Sequence, residues 1–306
     1  MSENIRSVTA AIDYIENHLD EKPDLDTVSK AVHYSKYHLH RMFTETAGLT
    51  VRTYAQRRRL TEAAKLLVFS DRPILEIALA AGYESQQSFT DSFRAMYKKP
   101  PHRYREEKTF YPLQLRFVLN ETPAAPEEEN GWRRKIARAA DADIPNWMEL
   151  VRLVIDGFPC LDEGQHLRRL RESIRNGRAW MLKDADTAVG IMAFHERTGS
   201  LDFLGVHPQY RNKGIEKAFC EKALQELVHS REITVTTFRE GDKADTGYRQ
   251  TVKSLGFAEA ELLVEFGYPT QRFVLSKARG RRGSQESAVG SPGPVLQKEE
   301  KGEVLV

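Results

Sequence analysis

The chain has 306 residues and a mass of 35.0 kDa, which is more than one ordinary hydrophobic core holds, so we expect two compact domains. Hydrophobic residues make up 40% and charged residues 29%, a balance that excludes wholesale disorder. No apolar run approaches the roughly 18 residues that span a bilayer, the start is acidic and amphipathic rather than a signal peptide, and Cys160 and Cys220 are too isolated for a disulfide framework or a zinc site. We therefore expect a cytoplasmic protein that contacts no membrane and holds no metal.

The first hundred residues predict helices only. From Ile5 to Arg105 the apolar residues recur with helical period, and Gly48 and Gly82 mark helix ends. Residues 120–131, NETPAAPEEENG, are typical of a linker, and beyond them strand-like runs alternate with helical ones, as in a mixed α/β domain. The last residues are rich in Gly, Ser, Pro and charge, which predicts disorder. The predicted units are a domain at 1–110, a linker at 111–131, a domain at 132–277 and a disordered tail at 278–306.

Charge is concentrated in the helical half. Residues 31–105 carry 13 Lys or Arg against 6 Asp or Glu, a net charge of +7, although the whole chain is only +2. Such a segment is either a solvated surface or a patch that faces nucleic-acid phosphates, and charge alone does not distinguish the two.

A repeat with an offset of 50 residues decides between them. Apolar and capping positions recur in matched pairs, which include Leu25 with Leu75, Ser35 with Ser85, and Phe43 with Phe93. Each copy has an apolar helix, a short turn, a serine suited to N-capping and a second helix with apolar residues four apart. This pattern predicts two helix-turn-helix units.

The outward faces of the two second helices carry side chains that contact DNA in other proteins. At about 100° per residue, burying Leu39, Met42 and Phe43 turns one polar set outward, and burying Phe89, Phe93 and Met96 does the same in the second copy. Arg can bond guanine, Gln can bond adenine, and Lys near a helix start suits a phosphate. The helix from Thr50 to Phe69 carries three consecutive arginines that would suit backbone phosphates, a solvated face being the alternative. The candidate DNA-binding residues are Lys36, Tyr37, His40, Arg41, Thr44, Arg57, Arg58, Arg59, Gln86, Gln87, Thr90, Asp91 and Arg94.

The segments YSKYHLHRMFTETAG, PILEIALAAGYESQQSFTDSFR and PPHRYR follow one another in the order seen in the AraC/XylS family of transcription regulators, which the first 105 residues resemble. The resemblance implies two recognition helices in successive major-groove segments of double-stranded DNA, joined by the long middle helix. It implies that Tyr37, His40 and Arg41 contact one segment, and that Gln86, Gln87 and Thr90 contact the other. RNA polymerase is a further partner that such a regulator implies.

Asp91 departs from this family pattern, since many relatives carry Arg there. A carboxylate repels phosphate, so the second contact is either weaker or accepts a hydrogen bond from cytosine N4.

In the second half, a strand ending at Val206 leads through a basic, glycine-containing turn into a helix, QYRNKGIEKAFCEKAL. The free amides at such a helix N-terminus suit an anion, but glycine turns are common and one turn is weak evidence. The surrounding order strengthens it: two helices, three strands, the turn and helix, a strand, a helix ending in LGF, and two strands. This order, with VHPQYRNKGI and SLGF, resembles the GNAT superfamily of N-acetyltransferases over residues 132–277.

We therefore expect a multidomain fold, an all-α double helix-turn-helix domain followed by an α/β GNAT (acyl-CoA N-acyltransferase) domain with a central mixed sheet. The resemblance implies that acetyl-CoA or another acyl-CoA lies where two parallel strands splay apart. Main-chain groups of two strand residues would pair with the pantetheine, and the amides of the turn would hold the pyrophosphate. The implied cofactor-binding residues are Leu204, Val206, Arg211, Asn212, Lys213, Gly214, Ile215 and Glu216.

Two departures put catalysis in doubt. Glu216 stands where the family has Gly or Ala, so a negative side chain meets a negative ligand. Val252 stands where the family has the tyrosine that protonates the departing thiolate; Tyr248, one turn earlier, either replaces it or packs against the sheet. For the base that deprotonates the amine, the candidates are Asp202 and His195 with Glu196, each of which could equally be an ordinary surface group. The predicted catalytic residues are Tyr248 and Asp202.

Three functions remain open. The first is a ligand-responsive transcription factor whose GNAT-like domain binds an acyl-CoA or a small-molecule effector and shifts DNA affinity. The second is a bifunctional protein that also transfers acetyl from acetyl-CoA to an amine substrate. The third is a regulator whose GNAT-like domain is a structural partner module that binds no CoA.

Overall fold

The computed structural model describes residues 3–120, 131–211, 213–226 and 232–276. Within these ranges no helix combines the length and the apolar character that a bilayer crossing requires. The predicted tail at 278–306 and the linker residues 121–130 lie outside the described residues.

Seven helices form the first domain. The two helix-turn-helix units are α2–α3 and α5–α6, and the long helix α4 joins them. Serines predicted as caps do cap: the Ser35 hydroxyl accepts from the His38 N–H (3.3 Å), and the Ser85 hydroxyl accepts from the Ser88 N–H (3.2 Å). The helices are α1 (Glu3–Asn17), α2 (Leu25–Ala31), α3 (Lys36–Ala47), α4 (Val51–Phe69), α5 (Ile74–Ala80), α6 (Gln86–Tyr97) and α7 (Pro101–Glu107).

Residues 108–120 have no regular secondary structure, yet they pack along the helical domain. Tyr111, Leu113 and Phe117 are each 5% exposed or less. The hydroxyl of Thr61 on α4 accepts from the N–H of Leu113 (3.1 Å). The first ten residues of the predicted linker are therefore part of a packed segment, because their apolar side chains gain more by burial against α4 than a solvated linker would.

The second domain is a seven-stranded sheet covered by helices, in the order β1-β2-β3-β4-β5-β7-β6. Every neighbouring pair is antiparallel except β4 and β5, which are parallel. The helices are α8 (Gly131–Lys135), α9 (Ile144–Leu153), α10 (Glu163–Arg175), α11 (Ile215–Glu226) and α12 (Tyr248–Ser254). The strands are β1 (Ala137–Arg138), β2 (Ala179–Asp184), β3 (Thr187–His195), β4 (Ser200–Val206), β5 (Glu232–Phe238), β6 (Ala258–Glu265) and β7 (Tyr268–Ser276).

The two domains share a hydrophobic core. Phe238 and Tyr268 of the sheet belong to the same buried cluster as Phe93 and Tyr97 of the second helix-turn-helix unit. At its edge Lys98 bonds the Asp242 carboxylate (2.7 Å). The sheet domain therefore packs directly against the helical domain.

Candidate nucleic-acid interface and ligand cleft

The first recognition helix, α3, is seated by Leu39, Met42 and Phe43, each at most 2% exposed. As predicted from the helical period, the opposite face is open to solvent. Tyr37 is 78% exposed, and His40 and Arg41 are also exposed. The most open face of α3 therefore carries the side chains expected to contact bases.

Two flanking residues of α3 are held differently. Lys36 pairs with Asp26 at 2.7 Å, so its ammonium is already partnered in the free protein. Thr44 is half-buried, and its hydroxyl is buried with no hydrogen-bond partner within the described ranges. Thr44, a candidate DNA contact, does not lie on the open face of α3, because it lies beside the buried Phe43 face rather than opposite it.

The second recognition helix, α6, is seated by Phe89, Phe93 and Met96. Gln86, Gln87, Asp91 and Arg94 are exposed and Thr90 is half-buried. The Gln87 side-chain amide donates to both carboxylate oxygens of Asp91, at 3.1 and 3.2 Å. Asp91 thus binds its own helix neighbour, and Gln87 must leave it to contact a base.

The predicted phosphate contact of Arg57 is contradicted by its burial on the inner side of α4. Its guanidinium is 2% exposed and donates to three carbonyl oxygens. They belong to Ala244 (2.8 Å), Leu113 (2.6 Å) and Asp156 (3.2 Å). Burial lowers the pKa of Arg57, an effect opposed by Asp156. Arg57 therefore joins the two domains and is out of reach of DNA.

Arg58 and Arg59 are corrected in the same way, at 7% and 6% exposure. Arg58 forms a bidentate pair with the Glu16 carboxylate (2.7 and 2.8 Å), and Arg59 donates to the Ala81 carbonyl (2.8 Å). Three consecutive helical residues span about 200° and cannot share one outer face, a signal in the sequence that argues against a phosphate-binding cluster.

The ligand cleft opens where β4 and β5 diverge. The two strands pair at one position, Ser200 with Thr234, and separate beyond it. The cleft has a volume of about 880 Å³, within the usual range for small-molecule sites. Both predicted strand residues, Leu204 and Val206, line it. The splayed parallel pair expected from the sequence is therefore present.

Arg211 and Glu216, on either side of the turn from β4 into α11, line the cleft, whereas the predicted cofactor-binding residues Lys213, Gly214 and Ile215 are not among its lining residues. Gly214 has φ +80°, and a Cβ placed there would meet no atom within 4 Å, so this face of the turn is open. The Lys213 carbonyl accepts from the Trp132 indole N–H (3.1 Å). Ile215 is buried in the core below α11. Asn212 lies outside the described residues.

Glu216 lies in the first turn of α11 and lines the cleft. Burial raises the pKa of its carboxyl, while a hydrogen bond from its own backbone N–H and the charge of Arg211 oppose the rise. The carboxylate therefore sits on a free amide of the helix N-terminus, where an anion is favoured.

Arg211 turns away from the open face of the turn toward Asp156. The Asp156 carboxylate, fully buried, accepts from both Nη atoms of Arg211 (3.1 and 2.9 Å) and from the Thr246 hydroxyl (2.8 Å). Burial by itself raises the pKa of Asp156, but the guanidinium of Arg211 outweighs this and holds it below the ordinary value. The sequence analysis did not identify this ion pair. The clue in the sequence is the aspartate inside the largely apolar run LVRLVIDGF, because a buried carboxylate requires a countercharge.

Tyr248 is a packed side chain, which is one of the two alternatives expected for it. Its hydroxyl accepts from Arg211 (3.0 Å) and donates to the Val154 carbonyl (3.4 Å). Its ring covers Gly157 so closely that a Cβ there would lie 2.3 Å from a ring carbon. Burial raises the pKa of the phenol. Val252, at the position of the family's tyrosine, also lines the cleft and has no proton to give.

The base candidates divide. Asp202 and His195 line the cleft, whereas Glu196 is not among its lining residues. Asp202 is exposed at the rim and accepts from the Ser200 hydroxyl (3.2 Å). Partial burial raises the pKa of its carboxyl, and the charges of nearby basic groups oppose the rise.

His166 is a cleft residue that the sequence gave no reason to select. Its Nε2 accepts from the Trp147 indole N–H (3.0 Å), and its ring meets Phe203 edge to face. Burial lowers its pKa to about 4, so the imidazole is neutral at pH 7.

Comparisons with known proteins match both halves. A helix-turn-helix domain family matches residues 28–107, and the acetyltransferase (GNAT) family matches residues 147–257. Over 113 residues the chain is 37% identical to the multiple antibiotic resistance protein MarA of Escherichia coli (strain K12), covering 35% of this chain and 89% of MarA. It is 39% identical over 100 residues to the uncharacterized HTH-type transcriptional regulator YbfP of Bacillus subtilis (strain 168), covering 33% of this chain and 34% of YbfP, about a third of that protein's length.

Among solved structures, a GNAT-family acetyltransferase from Bacillus cereus ATCC 10987 aligns at 18% identity and a TM-score of 0.36, over 47% of this chain and 97% of that one. The two family models and the match to MarA show that the chain belongs to the AraC-type helix-turn-helix transcription regulators, and that it joins their DNA-binding unit to a domain of the GNAT acetyltransferase family.

Proposed function

We propose that this chain is a sequence-specific transcription regulator whose GNAT domain binds an acyl-CoA, with acetyl-CoA as the first candidate, as its effector. The observation that carries the proposal is the cleft between β4 and β5. Past Ser200, the edge of β4 that faces β5 forms no further strand pairs with it. Main-chain groups of Leu204 and Val206 can there pair with the amides of a pantetheine arm.

The turn supplies the other half of the site. The turn places an open glycine, Gly214, at the start of a twelve-residue helix, and a helix N-terminus of this kind suits a pyrophosphate. The exposed face at Gly214 leaves room for it. The Glu216 carboxylate opposes it, so we expect affinity below that of a GNAT domain with Gly or Ala at this position.

The two residues in or near the proton-donor position of the cleft support acyl-CoA binding without efficient turnover. Val252 stands where a donor to the departing thiolate is needed, and the Tyr248 hydroxyl is held by Arg211 and the Val154 carbonyl. A thiolate that leaves without a proton donor leaves slowly. An acyl-CoA in this cleft is therefore a signal more than a substrate.

One observation favours acetyl transfer as a second candidate function. Asp202, with a raised pKa, lies at the rim beside His195 and can accept a proton from an incoming amine. In this function the amine nitrogen forms an amide with the acetyl carbon, the thioester carbon–sulfur bond breaks, and free CoA is released.

On the DNA side, the exposed faces of α3 and α6 are the recognition surfaces. Tyr37, His40 and Arg41 contact one major-groove segment, and Gln86 and Gln87 contact the next. Arg94 and Thr90 flank the second contact. RNA polymerase as a further partner stays a prediction.

The experiment has two arms on the full chain. Binding-site selection from random duplexes identifies an operator, and calorimetry with acetyl-CoA tests the cleft. We expect a selected consensus with two half-sites and a single acetyl-CoA site. Incubation with acetyl-CoA, a panel of polyamines and aminoglycosides, and a thiol reagent then separates the two functions: steady release of thiol would establish the transferase and contradict a purely effector role. Absence of acetyl-CoA binding would leave the GNAT domain as a structural module.

A further inference from the structure

We propose that acetyl-CoA and operator DNA weaken each other's binding through the Arg211–Asp156 ion pair, which connects the pyrophosphate turn to the first helix-turn-helix unit and to the long helix α4. This inference rests on the proposed function, because it concerns the regulation of the same cleft. It adds a direction of coupling and names the residues that carry it.

The turn touches the first helix-turn-helix unit. Gly48 ends α3 in the left-handed conformation (φ +72°) and is itself a lining residue of the cleft. A Cβ on Gly48 would lie 3.4 Å from Nη1 of Arg211. The end of the first recognition helix therefore lies beside the Arg211 guanidinium, close enough that a side chain at position 48 would touch it, and rotation of Arg211 toward the open face of the turn would change these surroundings.

The same ion pair reaches the long helix. The Asp156 carboxylate accepts hydrogen bonds from Arg211, and the Asp156 main-chain carbonyl accepts one from Arg57 (3.2 Å). Arg57 is buried on α4 and also donates to the Ala244 carbonyl in the loop before α12 (2.8 Å). One buried residue thus connects the turn to the helix that sets the spacing of the two recognition helices.

An anion on the turn competes for this arginine. A pyrophosphate near Arg211 attracts its guanidinium, which in the free protein binds the Asp156 carboxylate. A phosphate group can form the same bidentate contact with arginine. If Arg211 turns to the phosphate, Asp156 loses its main countercharge in a fully buried position, which is strongly unfavourable. The surrounding contacts must then rearrange, so the bound and free states differ in the arrangement of Asp156, Arg57 and Gly48.

The direction of coupling follows from the helices that the intact Arg211–Asp156 ion pair keeps in place. With Arg211 on Asp156, the end of α3 and the middle of α4 are both fixed against the sheet domain. Two recognition helices that enter successive groove segments need a fixed spacing. Loss of this support lowers operator affinity, and because coupling is reciprocal, operator binding must lower acetyl-CoA affinity by the same factor. We expect a factor of about five to fifty, in the usual range of such couplings.

The test is calorimetry of acetyl-CoA with the full chain, alone and saturated with its selected operator. The predicted dissociation constant is about five- to fiftyfold weaker in the complex. Saturation with a random duplex of equal length controls for simple repulsion between two anions and should give a smaller change.

Three variants locate the coupling. Asp156→Asn frees Arg211, so it should bind acetyl-CoA more tightly and reduce the operator effect to less than twofold. Thr246→Val removes one hydrogen bond to Asp156 and retains all charges, so it should give an intermediate effect if Asp156→Asn fails to fold. Lys98→Met, which breaks the separate ion pair with Asp242 between the domains and leaves the Asp242 carboxylate bonded to the Ala244 N–H, is the matched control and should leave the coupling intact.

The outcomes separate the two proposals. Equal or tighter acetyl-CoA binding in the operator complex overturns the inference and leaves the proposed effector site standing. Full coupling in the Asp156→Asn or Thr246→Val protein overturns the assigned residues. Absence of acetyl-CoA binding to the free protein overturns both proposals.

Discussion

Glu216 places a negative charge where the ligand is also negative. At about 6 Å and an effective dielectric near 20, each pair of unit charges repels by roughly 2–3 kcal/mol before screening by salt. In the free protein the same carboxylate satisfies its own backbone N–H at the start of α11. We therefore expect Glu216 to act as an internal substitute for a phosphate and to lower acetyl-CoA affinity without blocking the proposed site.

Replacement of Glu216 should tighten acetyl-CoA binding. We expect Glu216→Ala and Glu216→Gln to gain about tenfold in affinity, because both remove the charge and only one changes the size of the side chain. Glu216→Gly should gain as well, with a small loss of thermal stability from the added chain entropy. Calorimetry decides: unchanged or weaker binding in the Gln variant would mean that the carboxylate does not meet the ligand.

Arg41 is the residue on α3 that we expect to bond guanine. It is exposed, and its nearest charge partner, Glu45, lies 4.0 Å away. Arg41→Ala should therefore cost about 1–3 kcal/mol of operator binding and less on random DNA. Fluorescence anisotropy with both duplexes measures the two values, and equal losses on both would make Arg41 a phosphate contact.

His207 makes stability depend on pH. It is 2% exposed, and burial lowers its pKa to about 4. The unfolded chain takes up this proton near pH 6.5, so between these values the unfolded state binds more protons and stability falls as pH falls. We expect a loss of about 2 kcal/mol from His207 between pH 7.5 and 5. His166, with the same lowered pKa, adds to it.

Urea unfolding at both pH values measures this loss. His207→Asn should reduce the difference in unfolding free energy between the two values, whereas His102→Asn, an exposed change on α7, should leave it unaltered. A His207→Asn protein with the full pH dependence would show that the pKa of His207 is not lowered in the folded state.

At the scale of single elements, α4 is a structural helix between two units. Its three consecutive arginines bind Glu16 and main-chain carbonyl oxygens, some of them in the sheet domain. All three are buried and out of reach of a phosphate. The net charge of the segment is therefore larger than the charge available to DNA, and these three arginines do not contribute to the salt dependence of DNA binding.

Arg57→Met tests this account of α4. Three carbonyl oxygens lose their donor and Asp156 loses a neighbouring charge, so we expect a loss of about 3–5 kcal/mol in unfolding free energy. The slope of log K against log salt for random DNA should not change. Arg52→Met, an exposed arginine on the same helix, is the control and should have little effect on stability. A shallower salt slope for Arg57→Met without a loss of stability would contradict the assignment.

Elements were predictable where a local pattern specifies them. The strand predicted to end at Val206 is β4, and the serine caps begin α3 and α6 as expected. The packed segment at 108–120 was missed because its apolar residues follow neither a helical nor a strand period. The burial of Tyr248 depends on Gly157, which is distant in sequence, so the residue pattern left both alternatives open.

At the scale of the whole molecule, the sheet domain contacts both DNA-binding units. It reaches the first through Arg211 and Gly48, and the second through Lys98 and the shared aromatic core. The sequence identifies both domains but not this contact, since Asp156 and Arg211 are 55 residues apart and no local pattern pairs them. A regulator built this way can transmit the state of its cleft to DNA without a separate hinge.

The central claim is that an acyl-CoA in the GNAT cleft controls operator binding. The direct measurement is the anisotropy of a labelled operator bound to the full chain while acetyl-CoA is added at constant salt. We predict progressive release of the operator, with a midpoint that follows the calorimetric affinity for acetyl-CoA and shifts to lower concentration in Glu216→Gln. An operator that stays fully bound while acetyl-CoA saturates the cleft would contradict the claim.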